Sequence, residues 1–94
     1  MLNGKIAIVT GGGQGIGKHA AKTLAENGLK IVVADINPET AEKTAAELSA
    51  ISESMALTID VRDEDDVQNA FDVVTKKFGG IDVLVNNAGV VPHF

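Results

Sequence analysis

Thr10-Gly11-Gly12-Gly13-Gln14-Gly15-Ile16-Gly17 follows the short apolar segment Ile6 to Val9 and opens the helical pattern Ile16, Ala20, Leu24. Glycines are needed where a backbone turns sharply or comes close to a ligand, because a Cβ would block the approach or the positive φ angles. The helix that follows aims its unpaired N–H groups and the positive end of its dipole at the same spot, which favours a bound anion. The stretch reads as a phosphate cradle between a strand and a helix, and a nucleotide pyrophosphate is its expected guest. Gly11, Gly15 and Gly17 divide three jobs there: a tight turn, approach of the backbone to the phosphates, and close packing of helix on strand. Gly12, Gly13 and Gln14 form the outer part of the loop, along the path of an adenosine ribose and its phosphates.

Two nucleotide-site patterns compete for these residues. Gly12 to Lys18 also spells Gly-x-x-x-x-Gly-Lys, most of a P-loop, and Asp60 ends an apolar run much as a magnesium-holding aspartate would. That match fails at His19, where a P-loop needs the hydroxyl of Ser or Thr to ligate a hard, small magnesium ion. The Gly-x-Gly-x-x-Gly/Ala fingerprint has its near match at Gly15, Gly17 and Ala20, and Asp35 stands twenty residues after Gly15. The dinucleotide pattern leads, and a P-loop nucleotidase is the remote alternative.

Asp35 closes the run Lys30-Ile31-Val32-Val33-Ala34, whose β-branched residues suggest a strand buried on both faces. A carboxylate at the carboxyl end of that strand can accept hydrogen bonds from the adenosine ribose hydroxyls, and it would repel a 2′-phosphate. None of Gln14, Ile36 and Asn37 is basic, so nothing stands ready to receive that phosphate. NAD is therefore the expected cofactor rather than NADP. Taken alone, Asp35 could equally be a loop carboxylate ahead of the helix started by Asn37 and Pro38; beside the glycine loop, the ribose role wins. Gly11, Gly13, Gln14, Gly15, Ile16, Gly17, Asp35 and Ile36 make up the expected cofactor-binding set in the first part of the chain.

With these residues in place, the chain resembles the amino-terminal half of a short-chain dehydrogenase/reductase. Thr10, Gly11, Gly15 and Gly17 match that family's Thr-Gly-x-x-x-Gly-x-Gly loop. Asn86-Asn87-Ala88-Gly89, at the end of the apolar strand Val83 to Val85, matches its Asn-Asn-Ala-Gly motif. Asp60-Val61 stands where the family places the pair that touches the adenine ring, the carboxylate accepting from the amino group and the Val61 N–H donating to a ring nitrogen. The alternative for Asp60 is solvation of a helix start, since Asp63, Glu64, Asp65 and Asp66 show acids used freely there. The resemblance implies that Asn87 ties the fourth strand to the first beside the cofactor, a task its two-sided amide suits. It implies too that Ala88 and Gly89 keep the backbone near the nicotinamide ribose clear. Asn-Asn and Ala-Gly also suit a strand-end turn, and the two roles can coexist.

The resemblance further implies a fold and an activity. The fold is an α/β, Rossmann-type, doubly wound parallel sheet. The activity is hydride transfer between a nicotinamide cofactor and an alcohol or ketone, with the cofactor carrying the chemistry and the protein positioning it. In that family a Tyr-x-x-x-Lys pair and a Ser supply the acid–base step. This chain has no Tyr, so no catalytic residue is assigned, and the catalytic segment and substrate pocket are expected beyond Phe94. Residues 1–94 are thus read as one dinucleotide-binding domain, truncated before its catalytic segment and inactive alone. The competing class is a noncatalytic nucleotide-binding or dimerisation module.

Composition narrows the function classes. A net charge of −5 argues against nucleic acid or an anionic membrane as the main partner, because both need concentrated positive charge. There is no Cys, hence neither a disulfide framework nor a thiolate metal site, and no metal is expected. Only four apolar residues separate Lys5 from Thr10, too few for a signal-peptide core, and no apolar run approaches the roughly 20 residues of a membrane span. A cytoplasmic enzyme is the default. Three Phe with no Trp or Tyr leave the packing to aliphatic strands and Ala-rich helices. His19 and His93 receive no role, and Ser49, Ser52 and Ser54, around a helix end and a turn, suit local hydrogen bonding.

Strands and helices alternate: strand Lys5 to Thr10, helix Gly15 to Asn27, strand Lys30 to Asp35, helix Pro38 to Ala50, strand Ser54 to Asp60, helix Asp63 to Phe78, strand Asp82 to Asn86. Such alternation means a parallel sheet with helices on its faces. Gly28 and Gly79-Gly80 end the first and third helices as positive-φ caps. Val67, Ala70, Phe71, Val74 and Phe78 make one stripe on the third helix, and Asp63 is its N-cap. Right-handed crossovers and the dinucleotide-binding precedent together give four strands in the order 3-2-1-4. The fourth strand is apolar on both faces, as an interior strand should be, yet lacks a further neighbour. An uncovered apolar edge is an association site, so a homo-oligomer is expected.

Overall fold

The computed structural model describes residues 4–11, 13 and 15–86. Seven elements alternate along the chain: β1 (Ile6–Thr10), α1 (Gly15–Glu26), β2 (Lys30–Asp35), α2 (Pro38–Leu48), β3 (Ser54–Thr58), α3 (Glu64–Phe78) and β4 (Val83–Asn86). The strands form one parallel sheet in the expected order β3-β2-β1-β4. β1, β2 and β4 are short and rich in β-branched residues, β3 is held as a strand by pairing with β2, and each of the first three strands is followed by a helix long enough to carry the chain back.

Period-2 alternation sends each strand's side chains to two cores. Ala7, Val9, Ile31 and Val33 meet Ala21 and Ala25 of α1 and Ala41, Ala45 and Leu48 of α2 on one face. Ile6, Ile8, Val32 and Ala34 meet Val67, Ala70 and Val74 of α3 on the other, with Phe71 and Phe78 packed at its margin. β1 is buried at all five positions, which is why its sequence shows no polar alternation.

Local chemistry fixes the helix ends. Asn37 caps α2, its Oδ1 accepting from Glu39 N (3.0 Å) and Thr40 N (3.2 Å). Asp63 caps α3 in the same way, from Asp65 N and Asp66 N, and Lys76 and Lys77 close the last turn against the dipole. Gly28 (φ 90°) and Gly79 (φ 87°) take the left-handed conformation that ends α1 and α3. Ser49, Ser52 and Ser54 donate to Ala45 O, Leu29 O and Ser52 O, the local bonding expected of them.

Two details, at α1 and β3, depart from the sequence expectation. The buried stripe of α1 is Gly17, Ala21 and Ala25, while Ile16 is 79% exposed. Small residues set that contact, because without long side chains the helix lies close on the sheet. β3 ends at Thr58 and not at Asp60, because Asp60 N donates instead to Asp66 Oδ2 (2.8 Å) and a turn closes from Asp63 N to Asp60 O. β4 is an edge of this sheet, as the sequence implied, with Leu84 41% exposed.

Candidate functional site

In a parallel sheet every strand delivers its carboxyl end to the same edge. Here register places Thr10 of β1 level with Ala34 of β2 and Asn86 of β4, and Asp35 level with Thr58 of β3. The chain leaves β1 toward β2 on one side, while β4 pairs on the other. The loop after β1 therefore sits at the point where strand order reverses, the place such sheets keep for ligands.

Gly11 turns out of β1 with φ 64° and donates its N–H to Ala34 O at 2.7 Å. Gly15 opens α1, also at φ 64°, and a Cβ built on it would have, apart from its chain neighbours and its own helix backbone, no described heavy atom within 4 Å. Gly17 is buried against the sheet. The three jobs expected of these glycines are thus visible as a left-handed turn, an open approach and a close packing contact. Ile16, exposed beside Gly15, stands at the mouth of the same helix terminus.

Asp35 ends β2 next to the loop. Its Oδ2 accepts from Gly13 N at 3.0 Å and its Oδ1 from Asn37 N at 3.1 Å. Asn37 does the helix capping itself, so Asp35 is not the cap. A carboxylate has about four lone-pair sites, so these two bonds leave it capacity for a ligand's hydroxyls. Ile36 follows, 58% exposed. Gln14, Asn87, Ala88 and Gly89, together with Gly12 and His93, lie outside the described residues.

Asp60 and Val61 follow β3 at the same edge of the sheet, with Val61 buried. Both carboxylate oxygens of Asp60 are engaged by Arg62, Nε to Oδ1 and Nη2 to Oδ2, each at 3.0 Å. The guanidinium fork, helped by the Arg62 backbone N–H, holds the Asp60 carboxyl below its usual range. A depressed carboxyl pKa gives an interaction that is complete above the ordinary value and lost as pH falls through the lowered one. Arg62→Ala is expected to move the Asp60 midpoint upward in a carboxyl-carbon NMR titration, with little change in melting because the pair is exposed. An unmoved midpoint would show that Arg62 is not what holds the carboxylate.

Several positioning groups escaped the sequence reading. Thr10 Oγ1 donates to Asn86 Oδ1 (3.0 Å) and lies 3.3 Å from Val85 O, tying β1 to β4 at the first residue of the Asn-Asn-Ala-Gly segment. At the opposite end of β4, Asp82 Oδ2 accepts from Ile6 N at 2.8 Å. Thr44 of α2, buried, donates to Gly13 O at 2.6 Å. A signal for Thr44 was present: it is the one polar residue on the stripe Ala41, Thr44, Ala45, Leu48.

The arrangement fits an extended anion flanked by a hydroxyl-bearing sugar. It does not fit a P-loop, since Lys18 Nζ pairs with Glu47 Oε2 at 2.9 Å across to α2. Among the described residues, no group of three or more His, Cys, Asp or Glu is placed to hold a metal.

The short chain dehydrogenase family model matches residues 5–94. The chain belongs to that family. An uncharacterized oxidoreductase of Thermotoga maritima is 45% identical over 96 residues, covering 97% of this chain and 36% of that protein. NAD+-bound xylitol dehydrogenase superposes with a TM-score of 0.91 at 41% identity, over 95% of this chain and 35% of that one. The RhlG/NADP active-site complex of Pseudomonas aeruginosa gives 0.87 at 35% identity, over 95% and 36%. The chain spans about a third of the length of most curated relatives it matches. A short chain dehydrogenase origin accounts for the glycine loop, the strand order and the motif after β4 together. It also sets aside the P-loop alternative, whose lysine is committed elsewhere.

Proposed function

We propose that these 94 residues are the NAD(H)-binding part of an oxidoreductase that moves hydride between a nicotinamide cofactor and a small alcohol or ketone. When bound, the cofactor would supply the hydride chemistry. Gly11, Gly13, Gln14, Gly15, Ile16 and Gly17 form the cradle for it: Gly11 makes the turn, Gly13 and Gln14 lie along the adenosine ribose and phosphates, and the free N–H groups at the N-terminus of α1, from Gly15 to Gly17, hold the pyrophosphate. Asp35 and Ile36 face the adenosine ribose, Asp60 and Val61 the adenine, and Asn87, Ala88 and Gly89 the nicotinamide side. The protein is proposed to act in the cytoplasm; among the described residues no helix is long and apolar enough to cross a membrane.

The observation that carries NAD over NADP is the place of Asp35. It ends β2, is hydrogen-bonded to the glycine loop through Gly13 N, and has no basic neighbour at Ile36 or Asn37. A 2′-phosphate there would meet a like charge and would forfeit charge-assisted bonds to the ribose hydroxyl. Calorimetric titration of the polypeptide as the cell makes it is expected to favour NADH over NADPH by about ten- to a hundredfold, the range of one such bond. Asp35→Ala should weaken NADH binding and narrow the gap. Equal affinities in the unaltered protein would remove Asp35 from the ribose site.

A further inference from the structure

Gly13 differs from Gly11 and Gly15 in why it is a glycine. Its φ lies outside the left-handed region, so the backbone there would accept an alanine. Space would not. A Cβ on Gly13 would fall 2.6 Å from Thr40 Cγ2 and 2.7 Å from Asp35 Oδ2. Thr40 sits in the first turn of α2, one turn before Thr44, whose buried hydroxyl holds Gly13 O. The Gly13 peptide is thereby gripped from both sides, its carbonyl by Thr44 and its Cα face by the Thr40 methyl. Its N–H is left aimed at Asp35 Oδ2 at 3.0 Å.

We infer that Gly13 and Thr40 are a coupled pair which, with Thr44, positions the Asp35 carboxylate and so sets the choice between a ribose hydroxyl and a 2′-phosphate. The inference rests on the reading that Asp35 receives the ribose. Thr40 and Thr44 touch no reacting atom; they act through the loop and Asp35 as positioning residues. A side chain at Gly13 must displace either the Thr40 methyl or the carboxylate, and the carboxylate, at the end of a short flexible side chain, gives way first. Removing the Thr40 methyl frees that volume and lets the carboxylate return.

The test is a double-mutant cycle on the full polypeptide, with NADH and NADPH titrated separately and Gly13 amide exchange followed without cofactor. Gly13→Ala is expected to cut the preference for NADH by about tenfold, Thr40→Ala alone by less than about threefold, and the double variant to recover most of the loss. Thr44→Val should speed exchange of the Gly13 amide and weaken the preference, and Thr44→Ser should restore both. A Gly13→Ala effect that persists undiminished with Thr40→Ala overturns the coupling, as does an unchanged preference in Gly13→Ala. Should Gly13→Ala alone fail to fold, a folded, NADH-preferring double variant supports the pair and an unfolded one overturns it. Failure of the underlying reading looks different: Asp35→Ala would then leave the cofactor ratio unchanged while still exposing the Gly13 amide to exchange.

Discussion

Gly15→Val is expected to abolish dinucleotide binding while leaving most of the helical circular dichroism in place. Apart from its chain neighbours and its own helix backbone, no described heavy atom lies within 4 Å of a Cβ built at Gly15, so the added side chain points into the space proposed for the pyrophosphate. The substitution also strains the backbone, because φ is 64° and a β-branched residue is a true outlier there. That strain is worth roughly 1–2 kcal/mol, enough to lower a melting temperature without unfolding a helix anchored by Gly17, Ala21 and Ala25. Gly15→Asn separates the two effects. Asparagine tolerates the left-handed region but still carries a Cβ and an amide into the cradle. It should keep near-normal melting and lose binding almost as fully. Retained affinity in Gly15→Asn would reduce the loop to a structural turn.

The fold was legible where the signals are local. Asn37, Asp63, Gly28 and Gly79 mark helix ends by chemistry that needs only neighbouring residues, and all four cap as read. The stripe of α3 was legible because Val67, Val74, Phe71 and Phe78 are large and repeat at helical spacing. The stripe of α1 was not, because Gly17, Ala21 and Ala25 carry little hydrophobic signal and the conspicuous Ile16 faces outward. Strand order followed from the handedness of crossovers together with the dinucleotide-binding precedent that the glycine loop brought in.

The site was legible to a lesser depth. Glycines at Gly11, Gly15 and Gly17 announce backbone demands that no other residue meets. The grip on Gly13 was hidden, since Thr40 and Thr44 reach it from α2 across about thirty residues and a threonine in a helix carries no distinctive message. Likewise the fork of Arg62 on Asp60 depends on side-chain rotamers that spacing does not specify. The Asp82 bond to Ile6 N joins residues 76 apart in sequence, which only the closed sheet brings together.

The 94 residues prepared alone are expected to show no dehydrogenase turnover and to associate in solution. Turnover needs a group that gives or takes the alcohol proton, and the family resemblance assigns that work to a tyrosine, which this chain lacks. The titratable side chains at the cradle do not replace it. Asp35 is bonded to the loop and to Asn37 N, and the Asp60 carboxyl is held charged by Arg62, which leaves it a weak proton donor near neutrality. Association follows from β4. One side of β4 pairs with β1, and the strand forms a sheet edge whose Leu84 is exposed and whose Val83 and Val85 are only partly buried. Edges of this kind recruit another strand, and β4 itself, Val-Leu-Val-Asn, carries no charged residue to guard it. Sedimentation at several concentrations should show mass rising with concentration, and Leu84→Lys should return the chain toward a monomer by placing a charge on the open strand. A concentration-independent monomer would sink the association claim. Measurable NAD-coupled alcohol oxidation would sink the other, and would send the search for a proton carrier back to Asp35, Asp60 and His19.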